Sequence, residues 1–74
     1  MMSTVFKSIE MVGVSDTSFD DAARLAVKRA AETIRNLEWM EVVEQRGYIA
    51  GGEIQQYQVS VKIWFKLEEG QQPS

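Results

Sequence analysis

Residues 54–67 alternate apolar and polar side chains with a period of two. Tyr57, Val59, Val61, Ile63, Phe65 and Leu67 share one face, and Gln56, Gln58, Ser60, Lys62, Trp64 and Lys66 share the other. That period predicts a half-buried antiparallel strand and excludes a helix. Residues 4–12 alternate less regularly, with Val5, Lys7, Ile9 and Met11 on one parity and Phe6 and Val12 on the other. Their β-branched and aromatic content predicts a strand here as well. Residues 13–17 read as a loop. Ser18 with Asp21 three positions later resembles a capping box, with Asp in place of Glu and Thr17 as a rival cap. Asp20 and Asp21 also stand where a helix dipole favours negative charge.

From Phe19 the period becomes helical. Phe19, Ala22, Ala23, Ala26, Val27, Ala30, Ile34 and Leu37 recur at three- and four-residue steps and form one apolar stripe. Its alanines predict a helix lying close against a sheet. Arg24, Lys28, Glu32 and Arg35 make the opposite face, ordinarily a solvated one, with an Asp20–Arg24 pair worth about 0.2–0.5 kcal/mol. Asn36 is read as the helix stop. Residues 37–49 are rich in Val, Trp, Ile and Tyr and predict a further strand, in which Gly47 signals a bulge or bend. Ala50-Gly51-Gly52-Glu53 supplies the positive-φ residues of a tight hairpin. The predicted fold class is α+β, with β-α-β-β order and a three-stranded antiparallel sheet partly wrapping one helix. It is a single domain over residues 1–74, ordered from about 3 to 68, with a polar flexible tail over residues 69–74.

A chain of 74 residues buries little apolar area, and a lone core this size supplies roughly 3–5 kcal/mol. Cysteine and histidine are both absent, which removes disulfides and the usual zinc or copper ligands. Self-association is the remaining source of stability, and an open three-stranded sheet asks for it independently, having unpaired edges and an uncovered face. A net charge of −3 and a pI near 4.8 argue against nucleic acid as a partner. No apolar run approaches the roughly 20 residues that cross a bilayer, and the N-terminus has no signal-peptide pattern, so a soluble cytoplasmic protein is expected.

The side chains that remain for chemistry are aromatic faces, amides and a few charges. Trp39 opens the second strand, where an indole either packs or stacks on a flat ligand, a contact worth on the order of 1–3 kcal/mol per ring. Gln58 offers an amide donor and acceptor, which matches the alternating edge of a flavin or nucleobase. Arg46 suits a phosphate, or alternatively an ion pair with Glu41, Glu44 or a neighbouring chain. With the turn at Gly51-Gly52, Gln58 falls opposite Gln45 and Arg46, and Trp39 falls opposite Trp64. Trp39 and Gln58 are therefore not direct partners within one hairpin, although a neighbouring copy could bring them together. Glu38 and Glu44 share the parity of Met40 and Val42, and Glu41 that of Trp39, so no carboxylate pair for acid–base chemistry is evident.

Four segments carry a family resemblance: Val5-Phe6-Lys7, Thr17-Ser18-Phe19-Asp20-Asp21-Ala22, the run from Asn36 to Gly47, and Tyr57-Gln58-Val59. The stretch Trp39-Met40-Glu41-Val42-Val43-Glu44-Gln45-Arg46-Gly47 is the most specific of them, and together they resemble the dodecins. The resemblance implies a hollow homododecamer that binds flavin between symmetry-related subunits. By this likeness Trp39 stacks on the isoalloxazine ring and Gln58 hydrogen-bonds its polar edge. Arg46 and Gln45 match a stretch associated with the ligand's phosphate end. The implied ligand is FMN, riboflavin or FAD, with coenzyme A bound by some bacterial members. Trp64 departs from the family, in which a glycine or another small residue is common. Two roles stay open for it, an inter-subunit contact or a narrowing of access to the interior.

These readings converge on a flavin-binding protein that stores, buffers or sequesters its ligand and is not an enzyme, because the pocket the resemblance implies, a pair of flavins closed between two tryptophans, leaves little room for a substrate. The alternatives are a coenzyme A-binding protein and a purely structural shell without physiological flavin.

Overall fold

The computed structural model of the protein describes residues 4–68. These residues form β1 (Phe6–Ser15), α1 (Phe19–Ala31), β2 (Leu37–Ala50) and β3 (Glu53–Lys66). The strands make one antiparallel sheet in the order β1-β3-β2. The strand with the strictest alternation is thus the central one, with neighbours on both sides. The predicted β-α-β-β order and sheet are present; the tail over residues 69–74 lies outside the described residues.

One helix covers one face of this sheet. Val59, Val61 and Ile63 of β3 are fully buried beneath Ala22, Ala26 and Ala30 of α1. Ile9, Met11, Val27, Ile34, Leu37 and Met40 pack around that centre. The alanine stripe has the predicted effect, since only a methyl separates the helix backbone from the sheet.

The contact is closest at Gly13, and here the sequence reading needs correction. Residues 13–17 were expected to be a loop, yet β1 continues through Gly13 to Ser15, and Gly13 is buried opposite Val59. A Cβ on Gly13 would overlap the carbonyl of Ala22 and lie 3.3 Å from Ala26 Cβ. Glycine is present because the helix backbone occupies the space a side chain would need. Ser15, also buried, then organises the turn into the helix. Its Oγ donates to Asp21 Oδ2 (2.7 Å) and accepts from the Thr17 and Ser18 amides (2.9 and 3.4 Å). Ser18 is the N-cap, its Oγ accepting from the Asp21 amide at 3.0 Å. The capping box therefore runs through Ser15: Asp21 reaches back to a serine hydroxyl that in turn holds the cap's N–H.

The helix ends at Ala31, five residues before the expected stop at Asn36. The amides of Thr33 and Ile34 close the last turn on the Ala30 carbonyl. Ile34 and Leu37 stay in helical phase along the sequence, although they belong to the connection and to β2. Asn36, with φ of 66°, instead immediately precedes β2, and its carbonyl accepts from the Lys66 amide at 3.1 Å. Among the described residues Asp20 and Arg24 do not pair; Arg29 instead pairs with Glu32 at 3.8 Å and Arg35 with Glu68 at 3.0 Å, both exposed.

β2 and β3 run beyond β1 as a two-stranded arm closed by Gly51 and Gly52, both at positive φ, as a two-residue hairpin requires. The molecule measures 57 × 20 × 19 Å with a radius of gyration of 15.2 Å. A compact chain of this length has a radius near 11 Å. Tyr48, Ile49 and Ile54 on the arm, and Val42 and Val43 nearer the core, are about half exposed or more. An elongated arm with apolar side chains in water and a bare 14-residue edge strand is the form of a chain that packs against others.

Two measurements check this packing. Gly13→Ala forces the helix off the sheet and lowers stability by about 1–3 kcal/mol, read from the urea midpoint at fixed protein concentration. Ser18→Ala costs about 1 kcal/mol by the same measurement, whereas Ser18→Gly costs only a few tenths.

Candidate functional site

The face of the sheet turned away from α1 carries the polar set of β3, and a bulge in β2 decides what faces it. β2 and β3 pair as Trp39↔Trp64, Met40↔Ile63, Glu41↔Lys62 and Val42↔Val61, then shift by one residue so that Glu44 meets Ser60 and Arg46 meets Gln58. Val43 is the extra residue. In unbroken alternation Trp39 and Arg46 would lie on opposite faces; the bulge brings both to the open face, with Glu41 and Glu44. Gln45 is left opposite Val59, on the helix side. The parity reading that grouped Glu44 with Met40 is corrected by this shift. So is the bulge expected at Gly47, which pairs in register with Tyr57; the neighbouring shift falls between Tyr48 and Ile49.

The open face has an aromatic end. Trp39 is half exposed, and its ring lies 4.8 Å from Phe6 in a tilted contact and 6.0 Å from Trp64 at an interplanar angle of 25°. Phe6 and Trp39 stand on opposite edge strands and lean toward each other across β3. Lys62 Nζ lies over the Trp64 ring, 5.8 Å from its centre, a cation–π distance. Trp64 Nε1 is buried without a hydrogen-bond partner.

The other end is an amide and guanidinium cluster. Arg46 Nε donates to Gln58 Oε1 at 2.8 Å, a charge-assisted bond that fixes the amide, and Gln58 Nε2 donates to Gln56 Oε1 at 3.4 Å. Arg46 therefore takes neither Glu41 nor Glu44 as its partner. The sequence correctly set Gln58 opposite Arg46 and Trp39 opposite Trp64.

Between these ends lies a rung in which Glu10 and Glu41 flank Lys62, then one of Val12, Ser60 and Glu44. From Trp64 to Gln58 is six residues, about 20 Å of strand at about 3.3 Å each. One chain thus holds a stacking surface and a polar hydrogen-bonding pair on one face, farther apart than a three-ring system is long. On the helix side, an open groove between α1 and β2 has volumes of about 460 Å³, lined by Ala23, Arg24, Val27, Lys28 and Met40, and about 230 Å³ beside Leu37 and Trp39. Its apolar floor offers no convergent polar groups to orient a ligand. No group of three acidic side chains comes together among the described residues. Likewise, among them no helix is long and apolar enough to cross a membrane.

Two members of the aromatic end were not assigned to a site from the sequence. Phe6 was read only through its strand parity and as part of the Val5-Phe6-Lys7 segment, neither of which pointed to a contact with Trp39. Trp64 was placed opposite Trp39 by the hairpin register, and that pairing was the available clue to their contact.

Comparison with known proteins places these features. The Dodecin family model matches residues 5–68. Dodecin of Thermus thermophilus is 41% identical over 68 residues, covering 92% of this chain and 99% of that protein. The solved dodecin of Streptomyces coelicolor superposes with a TM-score of 0.86 at 41% identity, covering 92% of this chain and 97% of that one. The calcium dodecin of Mycobacterium tuberculosis superposes with a TM-score of 0.76 at 31% identity, over 93% of this chain and 99% of its own. A fold of this order, matched along nearly its whole length by sequence and by structure, makes the chain a member of the dodecin family.

Proposed function

We propose that this chain is a flavin-binding protein that holds FMN or riboflavin between copies of itself in a hollow homododecamer, storing or sequestering the ligand without turning it over. The observation that carries this reading is the division of the open face. Trp39 presents a half-exposed indole at one end, and the Arg46–Gln58 pair presents an oriented amide about 20 Å away along the strand. A ring stacked on Trp39 reaches the Gln58 amide only if a second copy supplies it. The apolar arm and the bare β2 edge provide surface for that copy.

In such a site each residue has a separable task. The Trp39 indole stacks on the isoalloxazine ring and provides a route for quenching its excited state. Gln58, its carbonyl engaged by Arg46, keeps an amide N–H and a remaining lone pair for the ring's alternating edge. Arg46 has further N–H groups for a phosphate, which favours FMN over riboflavin. Gln45, on the opposite face, contributes only if it meets the ligand of another copy. With the ring closed between aromatic surfaces, no substrate has access to it, and the protein acts as a binder.

A fluorescence titration of FMN against ligand-stripped protein, with the mass measured by light scattering, tests this. Strong quenching that saturates on a large symmetric assembly is expected. Undiminished FMN emission throughout contradicts the reading and favours a structural shell or a coenzyme A-binding protein. Trp39→Ala is expected to leave the assembly mass unchanged and to weaken FMN at least tenfold, about 1.4 kcal/mol. Gln58→Ala weakens binding less, and a silent Gln58→Ala variant removes that residue from the site.

A further inference from the structure

We propose that Trp64 is the positioning and specificity-determining residue of the ring site: it holds the Trp39 indole in place and closes one of its two faces, so that a flat ligand stacks on the other face alone. This rests on the flavin-binding reading above and adds to it the element that sets which side of Trp39 is used.

Trp39 stands on an edge strand beside a register shift at Glu38, with no strand beyond it to hold its side chain. Its support comes from the central strand, where Trp64 is its cross-strand partner, and from Phe6 leaning over from β1. The two indoles are 6.0 Å apart and nearly parallel at 25°. A planar ring inserted between them needs two van der Waals separations, about 7 Å in all, so the face of Trp39 toward Trp64 is closed to a ligand. Trp64 is itself held, with Lys62 Nζ over its ring. Next across the sheet is Ser8, opposite Trp64 on β1. A small residue at position 64 would leave a gap between Ser8 and Trp39 into which the tryptophan could turn. An indole already fixed in its bound orientation loses less freedom when a ring stacks on it, and affinity rises by that difference.

The buried Nε1 identifies the part of Trp64 that acts. With no acceptor and no access to solvent, this N–H is not offered to a ligand, so the contribution comes from the flat ring. Phenylalanine keeps a flat ring and removes the unpaired donor; leucine fills much of the volume without a flat face.

The test uses the assembled full chain and riboflavin, which lacks a phosphate and so isolates the ring site from Arg46. Trp64→Phe, Trp64→Leu and Trp64→Ala are compared with the unmodified protein for dissociation constant, emission remaining at saturation, and mass. For Trp64→Leu and Trp64→Ala, affinity is expected to fall about tenfold, with incomplete quenching at saturation because Trp39 is no longer parallel to the ring. Trp64→Phe is expected to stay within about threefold of the unmodified protein and to quench as fully. If Trp64→Ala fails to assemble, the Phe and Leu variants decide. Leu and Phe variants that bind and quench alike overturn the inference while leaving the flavin reading intact. A Phe variant as weak as the Leu variant also overturns it, since the N–H would then be the active part. Absence of riboflavin quenching by the unmodified protein overturns the flavin reading, and this inference with it.

Discussion

Gly13 lacks a side chain because the backbone of Ala22 stands where its Cβ would be, and much of the molecule follows from that close approach. It seats α1 directly over β1 and the middle of β3, with Ala26 and Ala30 continuing the contact over Val59, Val61 and Ile63. A 13-residue helix placed there cannot also cover the far half of two 14-residue strands. The result is a sheet with one face half covered, the other face bare, and a two-stranded arm projecting beyond the core. A small core and a large uncovered surface are one fact seen from two sides, and both are relieved when copies pack together.

The open face is ordered by the alternation of β3 and by one inserted residue in β2. The regular strand lines up Gln56, Gln58, Lys62 and Trp64. The bulge at Val43 turns the partner strand so that Trp39 and Arg46 join them. Stacking surface and oriented amide thereby share a face without sharing a neighbourhood. In the proposed function that separation has a chemical consequence: a site built from both would be incomplete in a single chain, and ligand affinity would be a property of the assembly. Trp39 is further distinguished by company: it is the indole that two other aromatic rings hold while half of it remains exposed.

Much of this was legible in the sequence, for reasons that differ by element. β3 could be read in full because it is central and buried on one face, so its period is undiluted. The hairpin was legible from Gly51-Gly52, which fixed the pairing of Trp39 with Trp64 and of Gln58 with Arg46 to within a residue. The end of β1 was not, because a glycine required by close packing looks the same in sequence as a glycine in a loop. The helix terminus was overrun because Ile34 and Leu37 bury the same side of the molecule from outside the helix and so keep its phase. The Val43 bulge left no trace, since a valine suits a strand whether or not it is paired. Without that shift the sequence could place Arg46 near Gln58 along the strand, but could not tell that Trp39 and Arg46 share a face while Gln45 does not.

The central claim is that a ring site takes its indole from one chain and its amide from another. Mixed assemblies test it most directly. Chains carrying Trp39→Ala are unfolded and reassembled together with chains carrying both Arg46→Ala and Gln58→Ala, and riboflavin binding is measured on the mixture and on each parent. If sites form between chains, the mixture contains some that combine an intact Trp39 with an intact Gln58, and it recovers a tight-binding fraction that neither parent has. If the site lies within a single chain, every chain in the mixture is defective and no tight fraction appears, which would contradict the account.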